Sequence, residues 1–86
     1  MALTSLGAAD GVAAQIESAI RAAVPDARVR VKAGGAGHYE VSVVSEVFRD
    51  KSMVQQHQLV YRAITPLMTG AAAPVHAIDR LLTQAP

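Results

Sequence analysis

The chain has 86 residues, enough for one small domain and too few for a second folding unit. It has no cysteine, which excludes a disulfide framework, a thiolate metal site and a cysteine nucleophile built from its own side chains. Eight Lys and Arg against seven Asp and Glu leave a charge of +1, too balanced for generic phosphate binding, and 17 alanines among the 51% hydrophobic residues leave a thin core.

Residues 1–9 are small and weakly patterned and read as a flexible leader to a single domain over residues 10–83, with 84–86 as a tail. From Asp10, the positions Val12, Ile16, Ala19, Ile20 and Ala23 recur at helical spacing. That spacing predicts a first helix over 11–23, capped by Asp10 and ended by Pro25. The period then falls from 3.6 to 2. Val29 and Val31 alternate with Arg28, Arg30 and Lys32, placing three cations on one strand face. Gly34-Gly35-Ala36-Gly37 forms the turn to a second alternating run, His38 to Val44, with Tyr39, Val41 and Val43 on one side. An antiparallel hairpin is expected. Ser45 to Lys51 is a connector, and its Phe48, the chain's one phenylalanine, is expected to plug the gap between hairpin and next helix.

Ser52 caps a second helix whose apolar stripe is Met53, His57, Val60, Ile64 and Leu67. Thr65-Pro66 is expected to break it, giving a short separate helical turn through Leu67-Met68-Thr69. After the loop of Gly70 and three alanines, Pro74 opens a final strand, Val75 to Thr83, burying Val75, Ala77, Ile78 and Leu82. The fold class is α+β, in the order α, β, β, α, short α, β, with a three-stranded sheet covered by helices on one face.

Most chemical motifs fail on context. Gly34 and Gly37 match the GxxG spacing of a nucleic-acid clamp, but that clamp joins two helices and these glycines join two strands. No Gly-Lys-Ser or Gly-Lys-Thr follows to make a phosphate loop. The seven carboxylates show no paired-acid pattern, and no Ser, His and Asp set has a local signature, so an enzyme is not expected. Three histidines remain. His38 leaves the glycine turn exposed, His57 sits on the apolar stripe, and His76 points away from the core. Each alone reads as an ordinary side chain; two near one edge would point to a metal or a partner. The strip Arg28, Arg30 and Lys32 reads either as a solvated face that protects the sheet or as a contact for nucleic acid or an acidic partner.

Gly37-His38-Tyr39-Glu40-Val41, Val44-Ser45, Phe48, Val54 to Tyr61 and Val75-His76-Ala77-Ile78 together resemble the BolA family over about residues 35–78. The resemblance implies a class II KH-like fold and a complex with a monothiol glutaredoxin. In it a [2Fe-2S] cluster is shared, with sulfur ligands from the glutaredoxin and its glutathione and none held by the isolated chain. By the same resemblance His76 is the implied ligand and His38 a second candidate, while His57, Tyr39 and Phe48 serve packing or the partner interface. Imidazole in place of thiolate raises a cluster's reduction potential.

The alternative implied function is a nucleic-acid-binding transcription regulator of stress response and cell morphology, contacting DNA through Arg28, Arg30 and Lys32. Gln56-His57-Gln58 replaces the Arg-His-Arg frequent in the family, which weakens a DNA contact through that helix. A weak homodimer is a further expectation. Neither a secretory signal nor an Arg-rich transit pattern marks the first fifteen residues, and no run approaches the roughly 18 apolar residues of a membrane span. A cytoplasmic chain is expected, or a mitochondrial-matrix one if eukaryotic. Two departures stand out. Arg80 occupies a place the family fills with an apolar residue, so the last strand should slip, bulge or end early, and the 69–74 loop is long.

Overall fold

The computed structural model describes residues 3–86, with side chains from Gly11 onward. In chain order the elements are α1 (Leu3–Ala23), β1 (Arg28–Ala33), β2 (His38–Val44), a 3-10 turn (Glu46–Phe48), α2 (Met53–Met68) and β3 (Ala77–Gln84). The sheet is ordered β1-β2-β3. β1 and β2 pair antiparallel through the glycine turn, and β2 and β3 pair parallel. A parallel pair needs a crossover, and α2 supplies it.

The expected α+β class holds, with both helices on one face of a mixed sheet, and four details differ from expectation. First, α1 begins at Leu3, so Asp10 lies inside the helix and is not its cap. The segment read as a leader carries Leu3, Leu6, Ala8 and Ala9, good helix formers that outnumber Thr4, Ser5 and Gly7; its residues 1 and 2 lie outside the described residues. Second, α2 runs unbroken through Pro66. The proline falls in the last turn, where only two helical residues follow, so the missing N–H costs one hydrogen bond and not the helix. Thr65 and Thr69 hydroxyls donate to the carbonyls of Tyr61 and Thr65, each at 2.7 Å. The extra short turn lies before α2, at Glu46–Phe48. Third, β3 starts at Ala77, because Val75 N–H is bonded to the Leu67 carbonyl at the end of α2, which anchors Val75 in the core before the strand begins. Fourth, the exposed residues Ala23, Met53 and Leu82 were expected to face the core.

The core is a single layer between helices and sheet. Ile16, Ile20 and Val24 come from α1 and its end, Val60 and Ile64 from α2, and Val29, Tyr39, Val41 and Val43 from the hairpin. Phe48 is 1% exposed and closes the layer from the connector, as expected. Ser52 forms a capping box with Gln55, its hydroxyl accepting from Gln55 N–H while the Gln55 side chain accepts from Ser52 N–H.

The last strand carries the irregularity expected at Arg80. Tyr39 pairs with Ile78, but Glu40 pairs with Arg80, so Asp79 is an unpaired bulge residue. One extra residue reverses the side-chain parity beyond it. Without the bulge, a strand with Ile78 inward would drive Arg80 and Leu82 into the core. With it, Leu81 and Thr83 turn inward and Arg80 and Leu82 face outward. The charge that breaks the apolar pattern is thus what the bulge accommodates.

Candidate functional site

His38 and His76 come together at one end of the sheet, through backbone and not through each other. Gly37 is the hub. Its carbonyl accepts from His76 N–H at 2.8 Å and from Ala77 N–H at 3.1 Å, which fastens the start of β3 beside the end of the glycine turn. Within that turn Gly34 N–H donates to the His38 carbonyl at 2.8 Å and His38 N–H to the Gly35 carbonyl at 2.9 Å. Gly37 has φ 76°, a left-handed conformation costly for other residues. The His76 imidazole also lies over its Cα, so a Cβ there would collide with the ring Cδ2. Both demands select glycine immediately before His38.

The bulge residue completes the edge. Asp79 Oδ1 lies 2.9 Å from His38 Nδ1, and both side chains are about half exposed, at 50% and 46%. A carboxylate only accepts, so this contact puts a proton on Nδ1 and leaves the lone pair of the neutral ring on Nε2. Metal-ligating histidines usually have such a partner on the other ring nitrogen, so the contact is compatible with ligation through Nε2. His76 is exposed, and its ring lies against Gly37.

The other expected site residues fall elsewhere. Tyr39, 5% exposed, and Phe48 belong to the core, which gives them a packing role. His57 lies on α2 away from the edge, and its Nε2 is buried with no hydrogen-bond partner. Arg28, Arg30 and Lys32 all lie exposed on the open face of β1. Among the described residues no three His, Asp or Glu side chains converge as a metal-binding set. The chain therefore offers single imidazoles, not a closed site.

Two residues escaped the sequence reading, Asp79 at the histidine edge and Gln56 at the opposite end of β3. Asp79 has no motif of its own; its signal was the parity break at Arg80 next to it. Gln56 looked like a lost cation, yet its amide donates to the carbonyls of Phe48 and Lys51, at 3.3 and 3.0 Å, and its oxygen accepts from Thr83 Oγ1 at 2.6 Å. It staples connector, α2 and β3 together.

With the edge and fold in view, comparison with known proteins is decisive. The family model described as BolA-like protein matches residues 15–85. The chain belongs to the BolA family. BolA-like protein 1 of Mus musculus is 42% identical over 48 residues, covering 56% of this chain and 33% of that protein, so the match spans about a third of the curated relative's length. A solved BolA homologue from Coxiella burnetii superposes with a TM-score of 0.67 at 28% identity, covering 83% of this chain and 86% of that one. BolA1 from Arabidopsis thaliana shares the fold, with a TM-score of 0.70 at 18% identity over 85% and 89% of the two chains. Among the described residues no helix is long and apolar enough to cross a membrane.

Proposed function

We propose that this BolA-family chain is a non-catalytic adaptor that partners a monothiol glutaredoxin and contributes imidazole to a [2Fe-2S] cluster held between the two proteins. The observation that carries the reading is the fixed edge of His38 and His76 around Gly37. The residues fit such a group in donor type and in number. Two exposed imidazoles cannot complete the ligand set of a cluster, and a chain with no cysteine has no thiolate to add, so the sulfur must come from a partner.

His76 is the stronger candidate ligand, since its ring is seated on backbone and needs no second side chain to hold it. His38 is the second, presenting Nε2 because Asp79 engages Nδ1. A bound cluster would supply one-electron chemistry and a transferable iron-sulfur unit. The chain's own part is to fix two rings at the rim of a rigid sheet and to offer a neutral donor beside a partner's thiolates. A nucleic-acid-binding regulator has less support: Gln56 is committed to the internal staple, and Arg28, Arg30 and Lys32 sit on a face without aromatic side chains for stacking.

The test is to titrate the chain into a monothiol glutaredoxin loaded with its cluster and record visible absorption and circular dichroism. New bands are expected with the wild-type chain, altered bands with His38→Ala, and loss of the new bands with His76→Ala. Spectra that ignore the chain, or that are the same for His76→Ala, overturn the ligand assignment.

A further inference from the structure

Two sequence features are left unused by the histidine edge: the cationic strip of β1 and the charge at Arg80. The fold brings both to one place. Because the bulge turns Arg80 outward, the open face of the sheet carries Arg28, Arg30, Lys32 and Arg80, half of the chain's eight Lys and Arg. Of the seven Asp and Glu, Glu40 lies among them, in register between Lys32 and Arg80, and Asp79 lies at the end of the face, against His38. None of the four cations makes an ion pair among the described residues, whereas Arg21 and Arg49 on the other elements are paired with Glu17 and Glu46. A shallow groove of about 430 Å³ runs between Arg30, Lys32 and Arg80, lined also by Leu82, which is 49% exposed. Four cations against Glu40 and Asp79 leave this face positive in a molecule of net charge +1.

β1 is also an edge strand. Among the described residues, 28–33 make no backbone hydrogen bond outside the sheet, so one side of the strand is left to pair. Its cations recur at every second residue, at a spacing of about 6.7 Å in extended chain. Carboxylates at alternate positions of a paired strand would match that spacing, and opposite charges across a strand pair are favourable.

We propose that this face docks an extended acidic segment of a partner polypeptide, added as a fourth strand along β1 with its carboxylates on Arg28, Arg30 and Lys32. Backbone pairing supplies the binding, as in other strand-addition complexes, and the cations select acidic strands over others. Arg80 extends the positive field across the sheet. Nucleic acid is disfavoured, because Tyr39 and Phe48 are buried in the core and the remaining aromatic, Tyr61, lies on α2. The proposal does not depend on the cluster reading, since the histidines take no part in it.

The experiment is fluorescence anisotropy of the full chain with a labelled hexapeptide alternating glutamate and valine. A hexapeptide of the same composition in two blocks, a lysine and valine alternate, and single- and double-stranded oligonucleotides are the competitors. The alternating acidic peptide is expected to bind tightest and to shift the backbone amide resonances of residues 28–33. The double variant R30Q/K32Q should bind about tenfold more weakly with an unchanged melting curve, and R62Q on α2 should bind as wild type. Equal binding of block and alternating peptides, unchanged affinity in R30Q/K32Q, or tighter binding of an oligonucleotide overturns the proposal.

Discussion

At the scale of single residues, two glycines share a backbone conformation but differ in what surrounds them, which lets the histidine seat be measured. Gly37 and Gly70 have φ 76° and 96°, so alanine at either is strained. An added Cβ at Gly70 meets nothing, whereas at Gly37 it meets the His76 ring. Gly70→Ala should cost about 1–2 kcal/mol, the backbone penalty alone. Gly37→Ala should cost at least about 1 kcal/mol more, because ring or turn must move. Urea denaturation of both variants, with the His76 ring resonances as reporter, checks this; equal costs and an unmoved ring would refute the seat. Asp79 permits a second measurement. Since its carboxylate accepts from Nδ1, Asp79→Asn should move neutral His38 toward the Nε2-protonated tautomer, read from imidazole nitrogen shifts, while stability changes by less than about 1 kcal/mol because the pair is half exposed.

At the scale of elements, a few polar contacts between residues distant in sequence tie the connectors to helices and sheet. Asp26, between α1 and β1, accepts from Ser45 Oγ at 2.6 Å and from Glu46 N–H at 3.1 Å. The Ser45 hydroxyl, and after it the Glu46 amide, hold the Asp26 carboxyl below its ordinary value. A carboxylate depressed in the folded state stabilises fully above its unfolded pKa of about 3.9, and that contribution fades as pH falls through the lower folded value. Asp26→Asn should therefore have its largest deficit in urea midpoint near neutrality, shrinking below about pH 4; a deficit independent of pH would remove the charge from the explanation. Gln56→Ala breaks three contacts and should cost about 1–3 kcal/mol, whereas Gln58→Ala, at an exposed neighbour, should stay within about 0.5 kcal/mol. The comparison also marks what a sequence can disclose. The hairpin, α2 and Phe48 were legible because period, cap and size are local signals. An irregularity at Arg80 was legible too, from the charge that breaks the apolar pattern, but the partner it gives His38 through Asp79 and the role of Gln56 were not, because both contacts exist only once α2 has carried the chain back beside β2. His38 and His76 were legible as residue types, but their union through Gly37 depends on that same long-range pairing.

At the scale of the whole molecule, one helical layer on one sheet leaves little stability in reserve. A chain of this length is expected to hold roughly 4–13 kcal/mol against unfolding. Phe48 is the bulkiest fully buried side chain and reaches the core from a connector, so the space it leaves cannot be filled by a neighbouring turn of helix. Phe48→Ala should cost about 3–5 kcal/mol, a large share of the total. For a domain this small, each kcal/mol shifts the melting temperature by about 4–8 °C, so a fall of roughly 12–40 °C is expected, with partial unfolding at room temperature at the upper end. Phe48→Leu, which keeps most of the volume, should recover much of the loss, and Val54→Ala, at a position 65% exposed, should melt as wild type. Thermal melts followed by circular dichroism check all three. A fall of less than about 5 °C for Phe48→Ala would mean that the layer can close without its plug, and that the connector does not brace the sheet whose rim carries His38 and His76.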